Sequence, residues 1–221
     1  MQYYWLNKQN NNKLIIFFAG WSFDAEPFKF LNCNGYDVLI FFDYNIIEMP
    51  DIVLLTENYK EKYLISWSMG VFAAYQLREK LPEFTEKIAI NGTTIPVDNE
   101  FGIPEKPFLL TLRHARTGLE SKFYQNIFLT KEEFEKYTLT PVKRPIDNRV
   151  EELKSLYNDI KIAEKGYYRY YDKALISTQD RIIPTNNQIN FWSKNDTVYK
   201  MLESGHFPYY NFENWNDIIC N

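Results

Sequence analysis

Cysteine is nearly missing from this chain, and what little there is cannot build a framework. Cys33 and Cys220 lie far apart, without metal-ligand spacing, so neither a disulfide scaffold nor a zinc cluster is expected, and a reducing, cytoplasmic setting fits. Long apolar runs are absent too. "LIIFFAGW" and "VLIFF" fall far short of the roughly 20 residues that cross a bilayer, which argues against a membrane protein. The opening "MQYYWLNKQNNNK" lacks the basic, apolar and small-residue order of an export signal. Positive charge is not in excess either. A formal charge of −4 excludes the broad basic face of a general nucleic-acid binder. Histidine occurs only twice, as His114 and His206, which sharply limits the general bases available to any catalytic reading.

What is present is apolar and ring-rich. Hydrophobic residues make up 45% of the 221 residues, enough for one sizeable core, so a single domain over 1–221 is expected, with room for an inserted subdomain. Seventeen Tyr and seventeen Phe predict a core or pocket built largely from rings.

Short, continuous apolar runs at 13–21, 36–44, 62–68 and 86–93 read as buried strands. Between the third and fourth, "MGVFAAYQLREKLP" (69–82) has helical spacing, with Arg and Lys in its last turn and Pro82 closing it. This alternation predicts an α/β fold with a mostly parallel central sheet flanked by helices. From 103 to 165 the strand signal fades. "PFLLTLR" (107–113) is the only ambiguous run, and charged helical segments such as "TKEEFEKY" and "NRVEELKSLYNDI" dominate, so a helical insertion is expected there. Strand-like signals return at 173–180 and 196–202. The asparagines at 10–12 read as a loop.

Three fragments carry chemistry. "SWSMG" ends the run at 62–68 just as a helix begins. That is the position of the nucleophile elbow, usually G-x-S-x-G, in which small residues flank a serine on a sharp strand-to-helix turn. Ser66 and Gly70 are the small residues here, and Ser68 is the candidate nucleophile. Asp180 closes "KALISTQD", and His206 follows the last predicted strand in "ESGHFPYY". Taken singly, Ser68 reads as readily as an ordinary turn, Asp180 as a cap and His206 as a structural residue. Together they stand in the order Ser, Asp, His, each just past a strand, with the largest gap where α/β-hydrolases insert a lid. His114, in "LRHAR", reads as solvent-facing or satisfied in the core. An oxyanion hole needs two backbone donors. Met69 follows the serine, and Trp21 in "FFAGWSFD" lies after an early strand, with Gly20 permitting close approach.

"FAGW", "SWSMGV", "NGT…FGIP" (91–104), Asp180 to Pro184 and "GHF" together resemble the BioG group of α/β-hydrolases, the pimeloyl-ACP methyl ester esterases of biotin synthesis. The resemblance runs from about Leu14 to the C-terminus and is weakest through the insertion. It implies an α/β-hydrolase fold in which 103–165 is the lid. Ser68, Asp180 and His206 would be nucleophile, orienting acid and general base, with Trp21 and Met69 as oxyanion donors. The implied reaction is methyl-ester hydrolysis on a carrier-bound seven-carbon diacid, with no cofactor or metal. An acyl carrier protein is then the expected partner of a monomeric enzyme. The stretch 106–154 holds ten Lys/Arg against seven Asp/Glu, net +3, leaving −7 for the remainder, a distribution suited to an acidic carrier. Candidate carrier contacts are Arg113, Arg116, Lys122, Lys143, Arg144 and Arg149. Candidate acyl-channel residues are Phe123, Tyr124, Phe128 and Phe134. A less selective carboxylesterase or thioesterase, and a non-catalytic binding module on the same fold, are the competing readings.

Overall fold

The computed structural model describes residues 1–164 and 169–221. Its centre is a seven-stranded sheet built from β1 (Gln2–Asn7), β2 (Lys13–Phe18), β3 (Tyr36–Phe42), β4 (Glu61–Trp67), β5 (Glu86–Ile90), β6 (Lys173–Ser177) and β7 (Val198–Leu202), in the order β1-β3-β2-β4-β5-β6-β7. Every pairing is parallel except that of β1 with β3. The inner strands read as unbroken apolar runs because both of their faces are covered: all seven residues of β3 and the last five of β2 and β4 are buried.

All six expected strands are present, most of them ending two or three residues earlier than the apolar runs suggested. The residues after them leave the sheet as loops. Register aligns these exits on one edge: Phe18 lies beside Phe41 and Ser66, Trp67 beside Ile90, and Ile90 beside Leu175. β1 has no counterpart among the sequence expectations. It is an antiparallel edge strand whose residues are exposed or half-buried, so it lacks the apolar run that marks the others. The loop between β1 and β2 contains the three asparagines, as expected, and Asp37 on β3 fixes it by accepting from the amides of Gln9 and Asn10 and the Asn11 side chain.

The helices are α1 (Ile52–Thr56), α2 (Met69–Gln76), α3 (Glu105–Gly118), α4 (Tyr124–Ile127), α5 (Lys131–Leu139), α6 (Ile146–Ile162), α7 (Thr185–Lys194) and α8 (Trp215–Cys220). α2 stops short of the expected 82 and passes into a 3₁₀ turn, Arg78–Lys80. Between β5 and β6 the described residues form α3, a π-helical turn over Leu119–Phe123, then α4, α5 and α6. "PFLLTLR" is therefore helical. The expected end of the insertion at Lys165 lies outside the described residues. α6 buries Val150, Leu153, Leu156 and Ile160 at helical spacing, and with them the charged Arg149 and Glu152. The ring-rich core is real: Phe23, Phe28, Trp67, Phe207 and Tyr209 pack on one another, with Phe23 and Trp67 edge to face at 4.7 Å.

Candidate active site

The β4–α2 junction turns so sharply that its backbone leaves the ordinary regions. Ser68 has φ 56° and ψ −125°, a conformation that costs free energy for any side-chain-bearing residue and is held only by its surroundings. Two backbone bonds hold it: the Ser68 amide donates to Ile90 O at 3.0 Å, and Ser68 O accepts from the Val71 amide at 3.0 Å. Gly70 lies so close to β2 that a Cβ there would stand 2.3 Å from Phe18 O. A Cβ at Gly92, in the loop after β5, would stand 2.6 Å from Ser68 O. Both glycines are there because backbone occupies the space a side chain would need.

The turn delivers Ser68 to His206. His206 Nε2 lies 2.9 Å from Ser68 Oγ and Nδ1 lies 2.8 Å from Asp180 Oδ2. With the Nδ1 proton directed at the carboxylate, Nε2 is left to accept from the serine hydroxyl. Asp180 is fixed on all sides: Oδ1 accepts from the amides of Ile182 and Ile183, and Oδ2 also accepts from Gln188 Nε2 at 2.9 Å. The His206 carbonyl accepts from the Trp67 indole at 2.8 Å and from Asn91 Nδ2 at 3.0 Å. Asn91 binds β6 as well, donating to Ser177 Oγ and accepting from the Ser177 amide, both at 2.7 Å. Three residues expected at the ends of β4, β6 and β7 are therefore brought into one hydrogen-bonded relay. A carboxylate–imidazole–hydroxyl chain of this geometry can deprotonate the serine as it attacks an electrophilic carbon.

The Trp21 amide donates to no other described residue, and Met69 is the first residue of α2, where an amide has no intrahelical partner. Both flank the region in front of Ser68. The Trp21 loop is strained as well, with Ser22 at φ 71°. It is gripped from α6 by Glu152, which is fully buried. Glu152 accepts from the amides of Ser22 at 3.1 Å and Tyr44 at 2.8 Å and pairs with Arg144 Nη1 at 2.9 Å. Burial pushes the Glu152 carboxyl up, and Arg144 and the two amides oppose that rise.

Ser68 and His206 open into a cavity of ≈ 220 Å³ with Trp21, Phe123, Leu110 and Ile127 among its walls. A second space of ≈ 520 Å³ adjoins it and shares Trp21, Leu110, Thr111, Phe123 and Asn126. Of the candidate channel residues, only Phe123 lines these spaces. Tyr124 and Phe128 are buried beneath, Tyr124 stacked on Tyr137 and Phe128 tilted against it, and Phe134 packs against Phe128. Tyr124 and Phe128 also pack on rings outside the insertion, Tyr124 on Phe23 and Phe128 on Phe207.

The candidate carrier contacts divide in the same way. Arg113, Arg116, Lys122 and Lys143 are exposed, with Arg116 paired to Asp147 and Lys143 to Glu26. Lys122 lines the second space beside His114, itself exposed on α3. Arg144 and Arg149 are corrections. Both are buried and bound: Arg144 to Glu152, Asp43 and Phe23 O, and Arg149 to Glu120 and the Tyr124 hydroxyl. Neither is presented to a partner. Sequence reading missed Arg181, among the described residues the only Lys or Arg on the wall of the serine cavity, although its place next to Asp180 was a signal. Gln188 and Asn91 were also missed. Asn91 stood within "NGT" without a role, and Gln188 lies in the polar first turn of α7. Among the described residues no three His, Cys, Asp or Glu side chains gather as a metal site, and no helix is long and apolar enough to cross a membrane.

Comparison with known proteins agrees with the fold. An uncharacterised protein of Haemophilus influenzae is 31% identical over 204 residues, 92% of each chain. A malonyl-[acyl-carrier protein] O-methyltransferase of Bacteroides fragilis is 30% identical over 87% of this chain, which spans only 39% of that longer protein. The crystal structure of BioG from Haemophilus influenzae superposes with a TM-score of 0.89 at 28% identity, covering 99% of both chains. The mostly parallel sheet with flanking helices is the α/β-hydrolase fold. The model of the pimeloyl-ACP methyl esterase BioG family matches residues 1–218, and the chain belongs to that family of carboxylic ester hydrolases.

Proposed function

We propose that this protein is a serine esterase that hydrolyses the methyl ester of pimeloyl-ACP methyl ester, giving pimeloyl-ACP and methanol for biotin synthesis. The observation that carries the reading is the Ser68–His206–Asp180 relay opening into a mostly apolar cavity. Ser68 Oγ attacks the ester carbonyl while His206 Nε2 takes its proton, and Asp180 stabilises the imidazolium that forms. The amides of Trp21 and Met69 receive the developing oxyanion, reinforced by the positive end of α2. Methanol departs with the proton from His206, and a water activated by the same imidazole releases the acyl group.

The inserted helices serve as a lid on a single hydrolase domain, and the acyl chain lies along Trp21, Leu110 and Phe123 towards the second space. The carrier docks on the side of α3, where Arg113 and Lys122 are exposed. Arg181 donates to carbonyl oxygens of the substrate beyond the ester. The test is to incubate the purified protein with carrier-bound pimeloyl methyl ester and follow intact mass. Loss of the methyl group with the thioester retained is expected, and Ser68→Ala should lower the rate by roughly six orders of magnitude. Preferential thioester cleavage would assign the less selective reading instead. A protein inert to fluorophosphonates and to every ester would be a binding module.

A further inference from the structure

We infer that Glu152 and Arg144, on and before α6, are positioning residues that hold the Trp21 amide in place to receive the oxyanion. This rests on the catalytic reading above, and it makes part of the insertion a component of the catalytic centre rather than a cover for it.

The argument starts at the loop that leaves β2. Gly20 O accepts from the Phe23 amide at 3.2 Å, and Ala19 O accepts from the Tyr44 hydroxyl at 2.6 Å. Ser22 sits at φ 71°, in a region a serine does not hold unaided. Glu152 supplies the restraint. One carboxylate oxygen takes the Ser22 amide, which fixes the peptide plane immediately after Trp21, and the other takes the Tyr44 amide, just past the positive-φ Asp43. The loops after β2 and β3 are thereby tied to the same side chain. The Trp21 side chain is tied to the same helix, its indole donating to Arg149 O at 2.7 Å. With its ring and its following peptide both fixed from α6, the Trp21 amide has little freedom to turn away from Ser68.

Arg144 completes the device in two ways. Its Nη1 reaches Phe23 O at 3.0 Å as well as Glu152, and Asp24 Oδ2 accepts from the amides of Lys143 and Arg144 at 2.7 and 3.2 Å. The loop and the segment before α6 therefore clasp each other. Its charge also offsets that of Glu152. An unpaired carboxylate one peptide away from an oxyanion donor would oppose the negative charge that the donor must stabilise. A carboxylate is required here because both of its oxygens accept, whereas an amide of the same shape would direct an NH₂ group at one of the two amides.

The experiment compares Glu152→Gln and Arg144→Lys with the wild type on a neutral p-nitrophenyl ester, with the concentration of competent sites measured by fluorophosphonate titration. Affinity for a trifluoromethyl ketone, which forms an oxyanion on Ser68, is compared with that for the corresponding secondary alcohol, which does not. Expected are a fall in kcat per titrated site of at least about tenfold, part of the 10²–10³-fold cost of losing an oxyanion donor, and a KM within about twofold of the wild type. The ketone should weaken in parallel with kcat, and the alcohol should bind as before. Wild-type kcat per titrated site, with activity lost only through fewer competent sites or a lower Tm, would overturn the inference while leaving the esterase reading intact. If neither variant folds, Asp24→Asn, which loosens the clasp at its rim, is judged by the same ketone-to-alcohol ratio.

Discussion

Ser66 and Ser68 stand two residues apart and meet opposite surroundings. Ser66 is the last small side chain of β4 and is wholly buried, while Ser68 faces the cavity with His206 at 2.9 Å. The sequence could separate them because the elbow pattern needs a small residue at one position and a hydroxyl at the other. It could name Asp180 and His206 because each ends a strand-like run. What it could not show is how each is held. Asp180 is committed to four donors, two of them backbone amides. Asp180→Asn must therefore turn an NH₂ group toward either those amides or the His206 proton. kcat for ester hydrolysis is expected to drop by about 10³–10⁴-fold with the protein still folded, checked by steady-state kinetics beside a circular dichroism spectrum. A variant within tenfold of wild type would remove Asp180 from the relay.

At the scale of elements, the strands covered on both faces announced themselves as apolar runs; of the two edge strands, β7 was legible and β1 was not. β1 went unread because its aromatic residues stand half in solvent at the sheet edge, and α7 because polar Thr185, Asn186, Asn187 and Gln188 open it. The glycines sort by the same logic of what lies beside the backbone. Gly70→Ala would drive a methyl group against Phe18 O, a backbone atom that cannot yield without moving β2. A loss of about 2–3 kcal/mol is expected, or roughly 4–12 °C in Tm for a chain of this size, together with lower activity as the elbow shifts. Gly118→Ala is the opposite case. It has open space around it, ends α3 and carries an ordinary negative φ. Alanine there should stabilise by about 0.5–1 kcal/mol, so thermal melts of the two variants should move in opposite directions.

Across the whole molecule, one buried carboxylate ties the N-terminal loop to the sheet. Burial alone would push the Asp37 carboxyl up, but hydrogen bonds from the Gln9 amide, the Tyr59 hydroxyl and Asn11 outweigh it and hold the group below its ordinary value. The folded state therefore binds the Asp37 proton less tightly than the unfolded chain. Its contribution is fully present above the unfolded carboxylate pKa of about 4 and is lost as pH falls through the lower folded value. Asp37→Asn should lower Tm at neutral pH and flatten the decline in stability between about pH 4 and pH 2, as read from melts across that range. A slope as steep as the wild type's would mean other carboxylates govern acid unfolding. At this scale the insertion also changed meaning. The net positive charge of 106–154 was legible, but not which of the ten cations in that stretch face solvent.

By itself the sequence determined the parallel sheet, the elbow and the order of Ser68, Asp180 and His206, because apolar runs and turn chemistry are local properties of the chain. Only the tertiary structure decided that Arg144 and Arg149 lie inside, that Tyr124 and Phe128 pack beneath the cavity, and that Asn91, Gln188 and Glu152 serve the site. Several of these depend on distant partners: Glu152 on Ser22, 130 residues away, Arg144 on Phe23, 121 away, and Asn91 on Ser177, 86 away. A charge or an amide in one dimension looks the same whether solvent or a strained loop will claim it. The difference is made when α6 folds back across the ends of β2 and β3 and puts two buried charges against backbone that needs them.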